Sequence, residues 1–109
     1  MSWKINYSAQ ALEDLKAVYE YIAYELLVPQ TANSQVKRIM KSINKLDEMP
    51  MMYKVYEEEP WRVEGLRVFP VDNYLVLYLP KEDTNTVNII RIIYGGRDIR
   101  KQLKETKDI

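Results

Sequence analysis

Hydrophobic and polar positions alternate at the start of the chain, then recur every three to four residues, then merge into near-continuous apolar runs. Trp3 to Tyr7 (WKINY) alternates and predicts a short strand. Ser8 follows it, suited to cap a helix by accepting a bond from an orphan backbone N–H. Leu12, Leu15, Tyr19, Ile22 and Leu26 fall on one face of that helix. Glu13 and Asp14 are placed to favour the positive end of its dipole, and Pro29 marks the break. Ala32, Val36, Ile39, Ile43 and Leu46 stripe a second helix from about Gln30 to Glu48, ended by Met49-Pro50. Two amphipathic helices so closely joined predict an antiparallel hairpin.

The period is lost from Met51 to Glu64, a stretch read as a loop with one turn of structure. A loop longer than about 12 residues in a small domain is usually functional or mobile. The other reading is that Met51, Met52, Tyr53, Tyr56 and Trp61 cover an edge of the core. Leu66 to Val71, Tyr74 to Leu79 and Val87 to Tyr94 are rich in β-branched, aromatic and leucine residues, with short polar connections at Asp72-Asn73 and Lys81 to Asn85. They predict an antiparallel meander. Pro70 has no N–H and belongs at an edge, a bulge or a strand end. The third run is apolar on both faces, which argues for a central position. WKINY is available to complete a mainly antiparallel sheet of about four strands. The fold class is therefore α+β, one domain over residues 1–109, closed by a short C-terminal helix after Gly95-Gly96.

Charged positions break this pattern in three places. Arg91, in VNIIRIIY, is read on one face with Val87, Ile89 and Ile93, while Ile90, Ile92 and Tyr94 point the other way. A buried guanidinium must pair with a carboxylate or open onto a polar cleft. Lys37, Lys41 and Lys45 line one face of the second helix, either as a solvated stripe or as a surface for an acidic partner. Asp98 either caps the last helix or pairs with Arg97 or Lys101, with the glycines supplying the turn.

Composition narrows the chemistry. Without cysteine or histidine there is no disulfide, thiolate site or imidazole ligand, so no metal or cofactor is expected. No apolar run approaches a membrane span, and MSWKINYS has no signal-peptide core, so a cytoplasmic protein is expected. Sixteen basic and sixteen acidic side chains cancel, which weakens the case for strong non-specific nucleic-acid binding. The charge is uneven: Arg91, Arg97, Arg100, Lys101, Lys104 and Lys107 face only Asp98, Glu105 and Asp108 in the last stretch, which permits a local basic patch.

GLRVFPVDNYLVLY followed by IIRIIYGGRDI, with YSAQALEDLKAVYEYIA near the start, resembles the RelE/ParE superfamily of type II toxin–antitoxin toxins over nearly the whole chain. The resemblance implies a toxin neutralised by a cognate antitoxin protein. RelE-like members are ribosome-dependent endoribonucleases that cut mRNA without a metal. ParE-like members poison DNA gyrase by binding. FPVDNYLVLY and YGGRDI look closer to the ParE-like arm. Arg97 matches a superfamily arginine that contacts phosphate in the nucleases. Leu75 stands where nucleases often carry a second arginine, and no tyrosine or histidine follows Gly96. If the chain is a nuclease, the candidates are Arg97, Arg67, Arg91, Tyr94 and Glu64. Arg97, Arg100 and Lys101 are the expected target-binding residues, and Lys37, Lys41, Lys45 and Trp61 the expected antitoxin contacts. A non-toxic, antitoxin-binding relic is the third reading.

Overall fold

The computed structural model describes residues 2–106. Lys107 and Asp108, counted in the basic stretch above, lie outside them. Strand β1 (Lys4–Tyr7) leads into α1 (Ala9–Glu20), which runs on as a π-helical turn (Tyr21–Glu25). Helix α2 (Pro29–Asn44) ends in a 3-10 turn (Lys45–Asp47). A one-turn helix, α3 (Trp61–Glu64), precedes β2 (Arg67–Val71), β3 (Tyr74–Lys81) and β4 (Thr86–Tyr94), and α4 (Ile99–Lys104) follows. The four strands lie in the order β1-β4-β3-β2. β1 is parallel to β4, and the other two pairings are antiparallel. The expected α+β architecture, with β4 central and WKINY completing the sheet, is the one observed.

Local chemistry explains the boundaries. The Ser8 hydroxyl accepts from the Ala11 N–H at 3.0 Å and donates to the Ile90 carbonyl at 2.8 Å, so one side chain caps α1 and ties it to β4. Pro29 does not merely end the first helix. It is the first residue of α2, where its missing N–H costs nothing. Pro70 sits in the edge strand β2, as its chemistry requires. Gly65 ends α3 at φ +85°, a left-handed cap position that suits glycine.

The hairpin packs on one sheet face through Leu15, Val18, Ile22, Ile39 and Ile43, against Phe69, Val76, Tyr78, Ile89 and Ile92. Leu12 and Leu26, expected on this stripe, are both 53% exposed. Val18 is buried in their stead, on an α1 face that runs through Ala11 and Leu15, and the π-helical turn after Glu20 displaces only Leu26 from the α-helical period. The opposite sheet face carries Leu77, Leu79, Ile90 and Ile93 under Trp61, Leu66 and Leu103. The segment from Met51 to Glu64 therefore does cover an edge of the core. Tyr53 stacks on Phe69 at 4.2 Å between ring centroids, and Tyr56 N–H bonds the Leu66 carbonyl at 2.7 Å. Met51 and Met52 stay exposed.

A β-bulge changes the face pattern of β4. Leu77 pairs with Arg91 and Tyr78 with Ile89, leaving Ile90 as the extra residue. Past that point the alternation is shifted by one. Ile92 joins Val87 and Ile89 on the hairpin side, and Ile93 joins Ile90 on the other. The expected grouping of Ile93 with Val87 and Ile89 is thus corrected by one inserted residue.

Candidate functional site

Beyond Tyr7, β1 no longer covers β4, and the exposed edge of β4 meets the flank of α1. Asp14 fills the gap. Its carboxylate accepts from Arg91 Nε at 2.7 Å, Arg91 Nη2 at 2.9 Å and the Ile92 backbone N–H at 2.9 Å. Asp14 lies beyond the first turn of α1, so its partner is Arg91 rather than the helix dipole. The pair is largely shielded, with side-chain exposures of 13% and 15%. Arg91 Nη1 also donates to Thr106 Oγ1 at 3.2 Å, which fastens the chain after α4. The carboxylate beside it holds the Arg91 guanidinium above its ordinary pKa, so the charge is permanent. Arg91 thus both pairs with a carboxylate, supplied by α1, and borders a cleft.

Above this pair opens a cleft of about 800 Å³, between the end of the hairpin and the end of β4. Its apolar wall includes Val18, Ile22 and Leu26. The far wall is Tyr74 and Tyr94, edge to face with centroids 6.0 Å apart. Arg97 stands at the end of this wall, exposed. Among the described residues no carboxylate pairs with Arg97, whereas Arg38, Arg62, Arg91 and Arg100 each have one.

The Gly-Gly-Arg-Asp turn builds this wall. Gly95 N–H bonds the Asn73 carbonyl at 2.7 Å, and a Cβ on Gly95 would meet that oxygen at 3.1 Å. A Cβ on Gly96 would lie 2.8 Å from the Tyr94 ring, so only glycine lets that ring lie flat over the turn. Asp98 caps α4, accepting from Arg100 N–H at 3.0 Å and Lys101 N–H at 3.4 Å. Asp98 is therefore fold chemistry, and Arg97 is left for other work. A clamp holds the other end of the wall. The Asp72 carboxylate, in the β2–β3 turn, accepts from Gln35 Nε2 and Arg38 Nε, both at 2.8 Å. These donors hold Asp72 below the usual carboxylate pKa.

Of the nuclease candidates, Arg97, Arg91 and Tyr94 line the cleft, and Arg67 and Glu64 do not. Arg67 Nη1 bonds the Tyr53 carbonyl at 2.6 Å and holds the loop over β2. Glu64 is exposed on α3. Of the expected target contacts, Arg100 pairs with Glu58 at 3.3 Å and Lys101 is exposed. Lys37, Lys41 and Lys45 are exposed and away from the cleft, whereas Trp61 is buried against Leu66 and Leu103. The reading of Trp61 as a cover for the core edge is the one observed, so its ring is not exposed as an antitoxin contact in this structure. The exposed apolar residues are elsewhere, at the hairpin tip, where Tyr24 is 67% and Leu27 77% exposed. The sequence signal for the tip was YELLV, a tract too apolar for a solvated turn.

The fold recurs in solved structures. It matches the chromosomal ParDE toxin–antitoxin system from P. aeruginosa with a TM-score of 0.70 at 20% identity, over 85% of this chain and 96% of that one. The toxin–antitoxin complex RelBE2 from Mycobacterium tuberculosis matches with a TM-score of 0.59 at 19% identity, over 86% and 99%. The archaeal RelE-RelB complex from Pyrococcus horikoshii OT3 matches with 0.61 at 14%, over 90% and 100%. At these identities the likeness establishes the fold alone. No curated protein matches the sequence. The family model described as the ParE toxin of the type II toxin-antitoxin system, parDE, matches residues 5–99, from β1 to the start of α4. The chain belongs to the ParE toxin family, within the RelE/ParE superfamily of type II toxin–antitoxin toxins.

Proposed function

We propose that this toxin arrests bacterial growth in the cytoplasm by binding DNA gyrase, and that a cognate antitoxin neutralises it by covering the binding surface. The observation that carries the reading is the unequal state of the charges in the cleft. Among the described residues Asp14 is the only carboxylate that lines it, and it is held by three N–H donors. Burial pushes the Tyr74 hydroxyl above its ordinary pKa, which makes it a poor base at neutral pH. A 2′-hydroxyl attack on phosphate needs a proton acceptor, and the described residues of this cleft offer no free carboxylate for it. What the cleft does offer is a fixed aromatic wall and an arginine with no carboxylate partner among the described residues, the parts of a binding site. The apolar Leu75, on β3 beside Tyr74, adds no second cation.

Messenger-RNA cleavage on the ribosome is the second reading, favoured by one feature: Arg97 and Tyr94 share the cleft as a potential phosphate anchor and proton donor. The two are separated by inducing the toxin alone. Gyrase binding predicts growth arrest, loss of supercoiling by purified gyrase and intact ribosomal mRNA. Specific mRNA cuts on translating ribosomes, with gyrase unaffected, would overturn the preference. No growth arrest would leave the non-toxic relic as the correct reading.

A further inference from the structure

With gyrase taken as the target, as proposed above, we infer that the cleft receives a protein segment of gyrase and not the DNA that gyrase holds. The segment inserts a large apolar side chain between the walls and sets a carboxylate on Arg97. Tyr21, Leu26 and Val28 line one side of the cleft and Tyr94 the other, and these four are between 41% and 55% exposed. Apolar walls that face each other across solvent leave surface that an apolar guest takes out of water. The volume of about 800 Å³ lies within the roughly 300–1,000 Å³ of pockets that enclose a guest.

Charge decides between the two kinds of guest. Of the two arginines that line the cleft, Arg91 is already answered by Asp14. Among the described residues Arg97 is left as the one uncompensated charge of the lining. Lys101 and Lys104 are exposed on α4 but do not line the cleft. A nucleic-acid backbone presents phosphates in series, and its affinity comes from neutralising several of them together. One cation between apolar walls is the wrong lining for that. It suits a single carboxylate, which a guanidinium can bind through two parallel hydrogen bonds. Asn73 and Gln102 add neutral polar side chains to the lining, able to bond a peptide backbone without adding charge. The two contacts support each other. An apolar side chain that displaces water from between the walls lowers the local dielectric around Arg97 and strengthens its ion pair.

Fluorescence anisotropy of toxin labelled at its amino terminus, titrated with purified gyrase in the presence and absence of duplex DNA, tests this. DNA-free gyrase should bind the toxin about as tightly as the gyrase–DNA complex does. Raising salt from about 50 to 200 mM should weaken binding less than about fivefold, the scale of one released counterion, whereas three phosphate contacts would cost about fortyfold. Leu26→Lys separates the guests most sharply. The position is exposed, so the fold is kept, and circular dichroism confirms it. The added cation should weaken binding roughly tenfold or more, because the apolar guest loses part of its wall. A phosphate backbone, or a guest held by charge alone, would bind this variant more tightly than the wild type. Arg97→Gln should weaken binding by a similar factor. Binding that requires DNA, a steep salt dependence or tighter binding by Leu26→Lys overturns the inference and leaves gyrase as the target. No binding to gyrase in either form overturns the target, and this inference with it.

Discussion

The floor and the mouth of the cleft each hold one arginine, and they use it in opposite ways. At the floor, Arg91 is shielded and locked to Asp14 by two short bonds. At the mouth, Arg97 is exposed and no carboxylate among the described residues answers it. The difference shows that residue type and place in a motif do not decide whether an arginine is structural or functional. The geometry of its partners does. A guanidinium that closes a sheet edge is spent on the fold, whereas one projecting from a glycine turn remains available to a ligand.

The sharpest way to break this contrast is to remove the partner at the floor. Asp14→Ala leaves Arg91 shielded without a counter-charge and leaves the Ile92 N–H without its acceptor. Breaking a shielded pair from one side typically costs about 3–5 kcal/mol. Urea unfolding should show a fall of that size. Replacing both residues by leucine should recover part of it. The part not recovered reports the uncovered N–H of β4, for which about 1–3 kcal/mol is the usual penalty. If Asp14→Ala unfolds like the wild type, Arg91 is not the structural residue described here.

At the mouth the expected pattern inverts. Arg97→Ala should leave stability within about 0.5 kcal/mol of the wild type, the range of exposed positions without partners. Its effect should fall on function. Truncating a central arginine of a binding site commonly costs about 2 kcal/mol or more. Inhibition of gyrase supercoiling should then need roughly thirtyfold more toxin. A large loss of stability together with function would erase the distinction between the two arginines.

The two residues also differed in how far the sequence revealed them. That Arg91 had to be paired or solvated followed from one charge in an apolar strand, but its partner did not. Asp14 is far away in the chain, and its fitness as a partner depends on where β1 stops covering β4. The bulge at Ile90 was equally hidden, because one inserted residue leaves an apolar run looking unchanged. The meander, the hairpin and the central place of β4 were legible, since each rests on periodicity within a single segment. The cleft was not. It forms where a π-helical turn throws Leu26 out of the helical stripe and where Gly96 lets the Tyr94 ring lie down, both consequences of tertiary geometry. Trp61 stayed open between core cover and antitoxin contact for the converse reason, because a tryptophan in an aperiodic acidic loop can be placed only once the sheet beneath it is known.

Gly96→Ala sharpens the comparison at an intermediate scale. The new methyl group would sit 2.8 Å from the Tyr94 ring, and the exposed ring can swing away more easily than the backbone can. Tyr94 then leaves Tyr74, and the edge-to-face contact, worth about 0.5–1.5 kcal/mol, is lost. A small drop in stability should accompany a change in the near-ultraviolet circular dichroism of the tyrosines. The floor should be unaffected, with Arg91 and Asp14 contributing as before. If the spectrum does not change, the glycine pair serves the turn alone and not the wall.

The smallest effect concerns acid. Asp72 joins α2 to the β2–β3 turn, and its carboxylate is held below the usual pKa by hydrogen bonds from Arg38 and Gln35. Because the folded value is the lower one, the clamp's full contribution is present above the unfolded carboxylate pKa. It fades as pH falls through the folded value. The side chains of Arg38 and Asp72 are 54% and 41% exposed, so solvent screens the pair and its contribution should stay below about 1 kcal/mol. Asp72→Asn keeps a polar group that tolerates the left-handed turn at φ +54° but removes the charge. Unfolding curves for this variant and the wild type should differ slightly at neutral pH and converge in acid, below the usual carboxylate range. Curves that stay equally far apart at every pH would mean that the charge on Asp72 does not hold that end of the wall.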